Sequence, residues 1–261
     1  MLSDGTDRQN DPPERSLPST AIAMLITCEH GGNRIPDAYS YLFRHCSSSL
    51  QSHRGFDPGA LVMAMAMAKN FHAPVLTSTL SRLLVDLNRS IGHRNLHMKA
   101  IHALPYAVRQ GIIERYYQPY RTKAEQLVTQ GIHQRGSVIH ISCHSFTDNL
   151  DGVERNTDVG LLYDPARQGE NLLCASWKSA LKHISPDLQV RRNFPYRGRN
   201  DGLTSALRKK FPSNVYLGIE LELNQKHLIR PAGQWAALRE SIITSLEVAL
   251  RNHQRSAGAT R

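Results

Sequence analysis

Short apolar runs alternate along the chain with longer stretches that keep one apolar face, and this alternation narrows the fold more than any other feature. Ala21–Thr27 (AIAMLIT), Pro74–Ser78 (PVLTS), Ser137–Ser142 (SVIHIS), Val159–Tyr163 (VGLLY) and Asn214–Leu223 (NVYLGIELEL) read as strands. They are short and apolar, as strands buried on both faces are. Residues 58–70, 112–133, 169–183, 204–210 and 233–252 read as helices. Pro58 would take the first helical position with Asp57 as its cap. Met63, Met65 and Met67 on that helix read as core filling. Strands interleaved with helices imply an α/β sandwich with a largely parallel sheet.

The chain has 261 residues and shows no internal repeat, which fits one domain over residues 20–253 with flexible tails at 1–19 and 254–261. No apolar run approaches the roughly 20 residues a membrane span needs, so no membrane partner is expected. The polar, Pro-containing start lacks the basic-then-apolar pattern of a secretion signal. Four scattered cysteines (Cys28, Cys46, Cys143, Cys174) form no CxxC pair, which makes a reducing cytoplasm the expected location. The formal net charge is +10, from 32 Lys+Arg against 22 Asp+Glu. That excess attracts anions of any size. The basic residues are dispersed in short clusters such as Arg191–Arg192 and Arg208–Lys210. No long basic block is interleaved with aromatics, so no nucleic acid partner is expected.

In parallel sheets the working residues collect at the carboxyl ends of strands. Here those places carry Cys28-Glu29-His30-Gly31-Gly32-Asn33, Cys143-His144-Ser145-Phe146-Thr147-Asp148, and Glu220 and Glu222 inside an apolar run. Two imidazoles at strand ends suit a zinc-like ion. A catalytic zinc keeps three protein ligands and an open position, and the third candidates are Asp57, Glu29 and the amide Asn33. Glu220 and Glu222 are two apart and so share one face of a strand. A carboxylate beside a metal site can serve as general base and then general acid; its bland alternative is a pair with Arg82 or Arg89. In SRLLVDLNR at 81–89, an Arg fork with an Asn matches a substrate carboxylate, while Asp86 can pair internally with an Arg. Cys28 and Cys143 sit inside strand runs and read as buried and inert. Ser145 lacks a GxSxG elbow around it. Residues 193–202 (NFPYRGRNDG) read as an ordered loop.

Taken together, CEHGGNRIP at 28–36, FDPGA at 56–60, SRLLVDLNR at 81–89, HISCHSFTD at 140–148, NFPYRGRNDG at 193–202 and IELELNQ at 219–225 resemble the N-formylglutamate amidohydrolase family. VDLNR at 85–89 is similar to the VDxNR of zinc carboxypeptidases, and Glu222-Leu223 to their catalytic Glu-Leu. The resemblance implies a phosphorylase/hydrolase-like three-layer α/β sandwich with a mostly parallel mixed sheet. It makes His30 and His144 zinc ligands and Glu222 the general base. Asn88 and Arg89 would hold the substrate's carboxylate, and Arg82, Ser145 and Tyr196 are further candidate substrate contacts. Where carboxypeptidases carry HxxE, position 33 is Asn, so Asp57 is the expected third ligand, with Glu29 behind it. Leu83-Leu84 stands where the histidine-breakdown enzymes resemble Tyr-Val.

The expected function is a zinc-dependent amidohydrolase with one zinc per chain, acting on a small N-acyl amino acid such as N-formylglutamate. The alternatives are a zinc amidase or peptidase acting on peptides or cell-wall fragments, and a basic module that binds polyanions.

Overall fold

The computed structural model describes residues 22–228 and 232–258. Eight strands occur among them: β1 (Ala23–Cys28), β2 (Val75–Thr77), β3 (Val138–Phe146), β4 (Asn149–Leu150), β5 (Val153–Glu154), β6 (Val159–Leu162), β7 (Val190–Arg192) and β8 (Tyr216–Asn224). Six of these form one sheet in the order β2-β1-β3-β8-β6-β7, and β4 pairs with β5 in a small antiparallel hairpin. All pairings in the large sheet are parallel except β6 with β8. The sheet is therefore mixed and mostly parallel, as expected.

The α-helices are α1 (Ser47–Leu50), α2 (Ala60–Phe71), α3 (Lys99–His102), α4 (Tyr106–Ile112), α5 (Gln118–Arg135), α6 (Gln168–Ile184), α7 (Leu203–Lys210) and α8 (Ala232–Gly258). A π turn over Ile113–Tyr117 joins α4 to α5, so one helical rod stands where the sequence predicts a helix from 112. Helices α2, α6 and α8 cover one face of the sheet, with Met63, Met67, Trp177 and Ile242 in its core. The α4–α5 rod, α7 and the apolar residues of 80–101 cover the other, with Leu84, Leu87, Ile101 and Tyr216 inside. Three layers result.

Strands β3 and β8 are buried along all nine of their residues. On one face they present Ile139, Ile141, Cys143, Ile219, Leu221 and Leu223 to the apolar core. The alternate positions carry His140, Ser142, His144, Glu220 and Glu222, because successive side chains of a strand point to opposite faces. In register, Ser142 lies opposite Glu220 and His144 opposite Glu222. A polar row is thus built into the middle of the sheet.

Several expectations need correction. Helix α2 begins at Ala60 behind Gly59, which has φ 80°, and not at Pro58. Asp57 gives the helix only its backbone carbonyl, to the Ala60 N–H at 3.1 Å, because its carboxylate is engaged elsewhere. A Cβ at Gly59 would come within 2.6 Å of Leu228, so glycine answers both the dihedral and the space. Met63 and Met67 are fully buried, but Met65 is 50% exposed, since only i and i+4 share a helix face. The tail expected over 1–19 lies outside the described residues, as do 259–261. Residues 254–258, expected as tail, continue α8.

Candidate metal and active site

Strand β1 delivers Glu29 and His30 into the core just past its last residue, and both are buried. The chain can lie so close to the backbone of residues 78–79 there because residues 31 and 32 are glycines. A Cβ on Gly31 would meet the Ser78 carbonyl at 2.9 Å, and one on Gly32 the Thr79 carbonyl at 2.8 Å. The His30 carbonyl accepts from the Asp57 N–H at 2.9 Å, fastening the segment before α2 beside it. His144 comes from within β3, two residues further along the strand than the predicted run reached.

These three residues converge. His144 Nδ1 lies 2.8 Å and His30 Nδ1 3.4 Å from the same Asp57 Oδ2. One ligand atom from each of the three falls within 4.8 Å of the others, and all three residues are buried. Tetrahedral coordination at zinc–ligand bonds of about 2.0–2.1 Å sets ligand atoms about 3.3 Å apart, close to this spacing. The donor set, two imidazole nitrogens and one carboxylate oxygen, is also the one zinc accepts.

Each imidazole is gripped from behind. Asp86 Oδ1 is 2.7 Å from His30 Nε2, and Glu29 Oε2 is 3.0 Å from His144 Nε2. With an ion in place, a carboxylate on the far nitrogen would keep the ring proton there and leave Nδ1 to face the centre. Glu29 is held in turn by the hydroxyls of Ser142 at 2.6 Å and Tyr120 at 3.0 Å. Burial alone would raise the Glu29 carboxyl, but hydrogen bonds from His144 and Ser142 hold it below the ordinary carboxylate range. Asp57 and Asp86 resist burial in the same way, Asp57 through His30, His144 and Arg82, and Asp86 through Arg82 and His30. For His144, burial disfavours the cation, yet its contacts with Asp57 and Glu29 raise it well above the usual imidazole value.

Beside this cluster Glu222 is buried, and its Oε2 has no hydrogen-bond partner. Burial pushes its carboxyl up to about 8. Glu220 accepts from the Thr204 hydroxyl at 2.6 Å, so neither glutamate makes the ion pair with Arg82 or Arg89 that sequence also allowed. Arg82 instead bridges Asp57 at 3.2 Å and Asp86 at 2.8 Å. Asn88 accepts from the Leu203 N–H at 2.6 Å, and Arg89 donates from Nη1 to the Asp201 carbonyl at 2.6 Å, while its buried Nε makes no hydrogen bond and lies 4.0 Å from Asp86 Oδ2. The Ser145 hydroxyl donates to the Pro58 carbonyl at 2.7 Å, and Tyr196 is 43% exposed at the rim. His30, Asp57, Arg82, Asn88, Arg89, His144, Ser145, Tyr196 and Glu222 all line one cavity of about 750 Å³.

Glu29 and Asn33 do not join the ligand cluster. Glu29 stands behind His144, and Asn33 donates to the Leu50 carbonyl at 3.1 Å. Cys28 and Cys143 are buried and burial raises both thiols, as inert cysteines require. Sequence reasoning missed the grip of Asp86 on His30 and the contacts of Ser142 and Tyr120 with Glu29. Ser142 alone carried a signal, standing two before His144 and so on the same strand face.

The family model for N-formylglutamate amidohydrolase matches residues 22–229. Among solved structures, the chain is similar to the gene product Atu2144 from Agrobacterium tumefaciens. The identity is 26%, the TM-score 0.76, and the match covers 90% of this chain and 92% of that one. It shares its fold with the N-formylglutamate amidohydrolase from Ralstonia eutropha JMP134, at 17% identity and a TM-score of 0.69, over 90% of this chain and 95% of that one. No curated protein matches the sequence.

Proposed function

Since the chain belongs to the N-formylglutamate amidohydrolase family, hydrolases of amide C–N bonds, we propose that it is zinc-dependent and acts on small N-acyl amino acids such as N-formylglutamate. The convergence of His30 Nδ1, Asp57 Oδ2 and His144 Nδ1 beside the unpartnered Glu222 carries this reading.

Those three atoms would hold the ion. When bound, zinc supplies Lewis acidity, which polarises an amide carbonyl and lowers the pKa of water towards about 7. Glu222 takes the proton of the attacking water. The water oxygen bonds to the acyl carbon, and as the C–N bond breaks Glu222 returns the proton to the leaving nitrogen. The products are a carboxylic acid (formate, for a formyl substrate) and the free amino acid. Asn88 and Arg89 orient the substrate by its carboxylate, with the buried Arg89 Nε as an available donor. Arg82 fixes Asp57 and Asp86 and presents what remains of its fork to the cavity. Tyr196 and Ser145 complete the walls.

The test pairs metal content with formate release from N-formyl-L-glutamate before and after chelation. About one zinc per chain and release that chelation abolishes are expected, following the one-ion capacity of a three-ligand site. Release that survives complete removal of metal would overturn the zinc dependence.

A further inference from the structure

Beyond Arg89 the chain builds a second wall of the same cavity, and no role described so far uses it. Arg94, Asn95, His97, Met98, Lys99 and His102 all line the cavity. Their backbone is anchored along the 83–86 stretch. The Asp86 N–H donates to the Leu96 carbonyl at 2.8 Å, and the Met98 N–H to the Leu83 carbonyl at 3.0 Å. Leu96, His97 and Ile101 are buried, while Arg94 and Lys99 are exposed on the cavity side of this platform. Long cations are thus carried on a fixed backbone.

The charges of this wall are not neutralised by the protein. Among the described residues Arg94 and Lys99 make no ion pair. Of the acids lining the cavity, Asp57 and Asp86 are engaged by Arg82 and the histidines, Asp201 by the N–H and hydroxyl of Ser90, and Glu220 by the Thr204 hydroxyl, while Glu222 stands beside His144. His97 packs into the same wall as a buried ring. Its Nδ1 is 2.6 Å from the Leu84 carbonyl, which fixes the proton there, and its buried Nε2 has no partner. Burial holds the His97 imidazole below its ordinary pKa, so the ring shapes the wall as a neutral group and the wall's charge comes from Arg94 and Lys99.

The wall also stands in the right place to read one half of the substrate. Arg94 follows Arg89 by five residues in the sequence, and both belong to the segment that lines this side of the cavity. A carboxylate held by Asn88 and Arg89 would bring the amino-acid half of the substrate to this segment, since all of these residues line the one cavity. We infer that 94–102 is the specificity subsite of the cavity, with Arg94 and Lys99 reading an anionic side chain on the amino-acid half of the substrate. This rests on the amidohydrolase reading and adds to it the residues that select the amino acid.

The test compares kcat/KM for N-formyl-L-glutamate and N-formyl-L-glutamine, which differ only in the charge of the side-chain end. In the zinc-loaded protein the acid is expected to be favoured by about tenfold or more, the worth of a charge-assisted contact. The double variant Arg94→Gln/Lys99→Gln should bring the ratio close to one, and Arg94→Lys should retain most of it. Equal rates on both compounds in the parent protein, or a preference that survives in the double variant, would overturn the subsite. If neither compound is hydrolysed, it is the amidohydrolase reading that fails. The subsite is then judged by calorimetric affinity for the same two compounds, and equal affinity overturns it as well.

Discussion

Glu222 combines two properties that rarely coexist in a carboxylate: it is buried, and one of its oxygens bonds to nothing. Replacing it by Gln keeps the shape and removes the base. Turnover should then fall by about 10²–10⁴-fold, the usual worth of a positioned general base, while zinc content stays at the parental level; a variant with normal kcat would dismiss the role. The same burial ties Glu222 to stability in the metal-free protein. Its folded carboxyl is pushed up to about 8, above the ordinary 4.5. Between those values the folded protein keeps a proton that the unfolded chain has released, so stability falls as pH rises through that window. Glu222→Gln removes the dependence. Chelated parent and variant should unfold alike at about pH 4, and by pH 8 the variant should lead by a few kcal/mol. Urea curves that stay parallel across this range would show that Glu222 does not titrate as its burial demands.

At the scale of elements, the π turn in the α4–α5 rod gives a prediction that no periodicity could supply. It places the Tyr117 hydroxyl 2.7 Å from the Arg89 carbonyl, and from the next turn Arg121 donates to the Leu87 carbonyl at 3.1 Å. The loop bearing Asn88 and Arg89 is thereby pinned from below. Tyr117→Phe should cost about 1 kcal/mol of stability and raise KM more than it lowers kcat; unchanged KM for N-formyl-L-glutamate would show that the pin does not matter to binding. Other elements were legible for clear reasons. Strand β8 interrupts an apolar run with Glu220 and Glu222 at a spacing of two, so its half of the polar row is legible directly, whereas in β3 the row runs His140, Ser142, His144 past the end of the predicted strand. Strand β7 escaped because Val190 is buried while Arg191 and Arg192 are exposed, which leaves no apolar pattern. Asp57 reads both as a helix cap and as the third ligand, and only the fold decides between them, by bringing its carboxylate to His144, 87 residues away. For the same reason Glu29 was weighed as a ligand, when the fold sets it behind His144.

At the scale of the molecule, basic residues that look alike in the sequence are put to different uses. Arg208, in the cluster Arg208–Lys210, is buried against Glu170 at 3.0 Å, while Arg94 and Lys99 face the cavity with no ion pair among the described residues. The proposed ligands come from distant parts of the chain: His30 follows β1, Asp57 precedes α2, and His144 lies in β3. These residues come together only in the folded chain, so an ion that needs all three binds the native state and not the unfolded one. By mass action, zinc at one hundred times its dissociation constant should then stabilise the protein by about 2.7 kcal/mol, read as a rise in the unfolding midpoint that scales with zinc concentration. Asp57→Asn keeps the size of the side chain and removes its charge, and should lose most of that response while circular dichroism shows the fold retained. Should the variant respond to zinc as the parent does, the ion is held elsewhere, and the cluster of His30, Asp57 and His144 is a buried ion-pair network and not a metal centre.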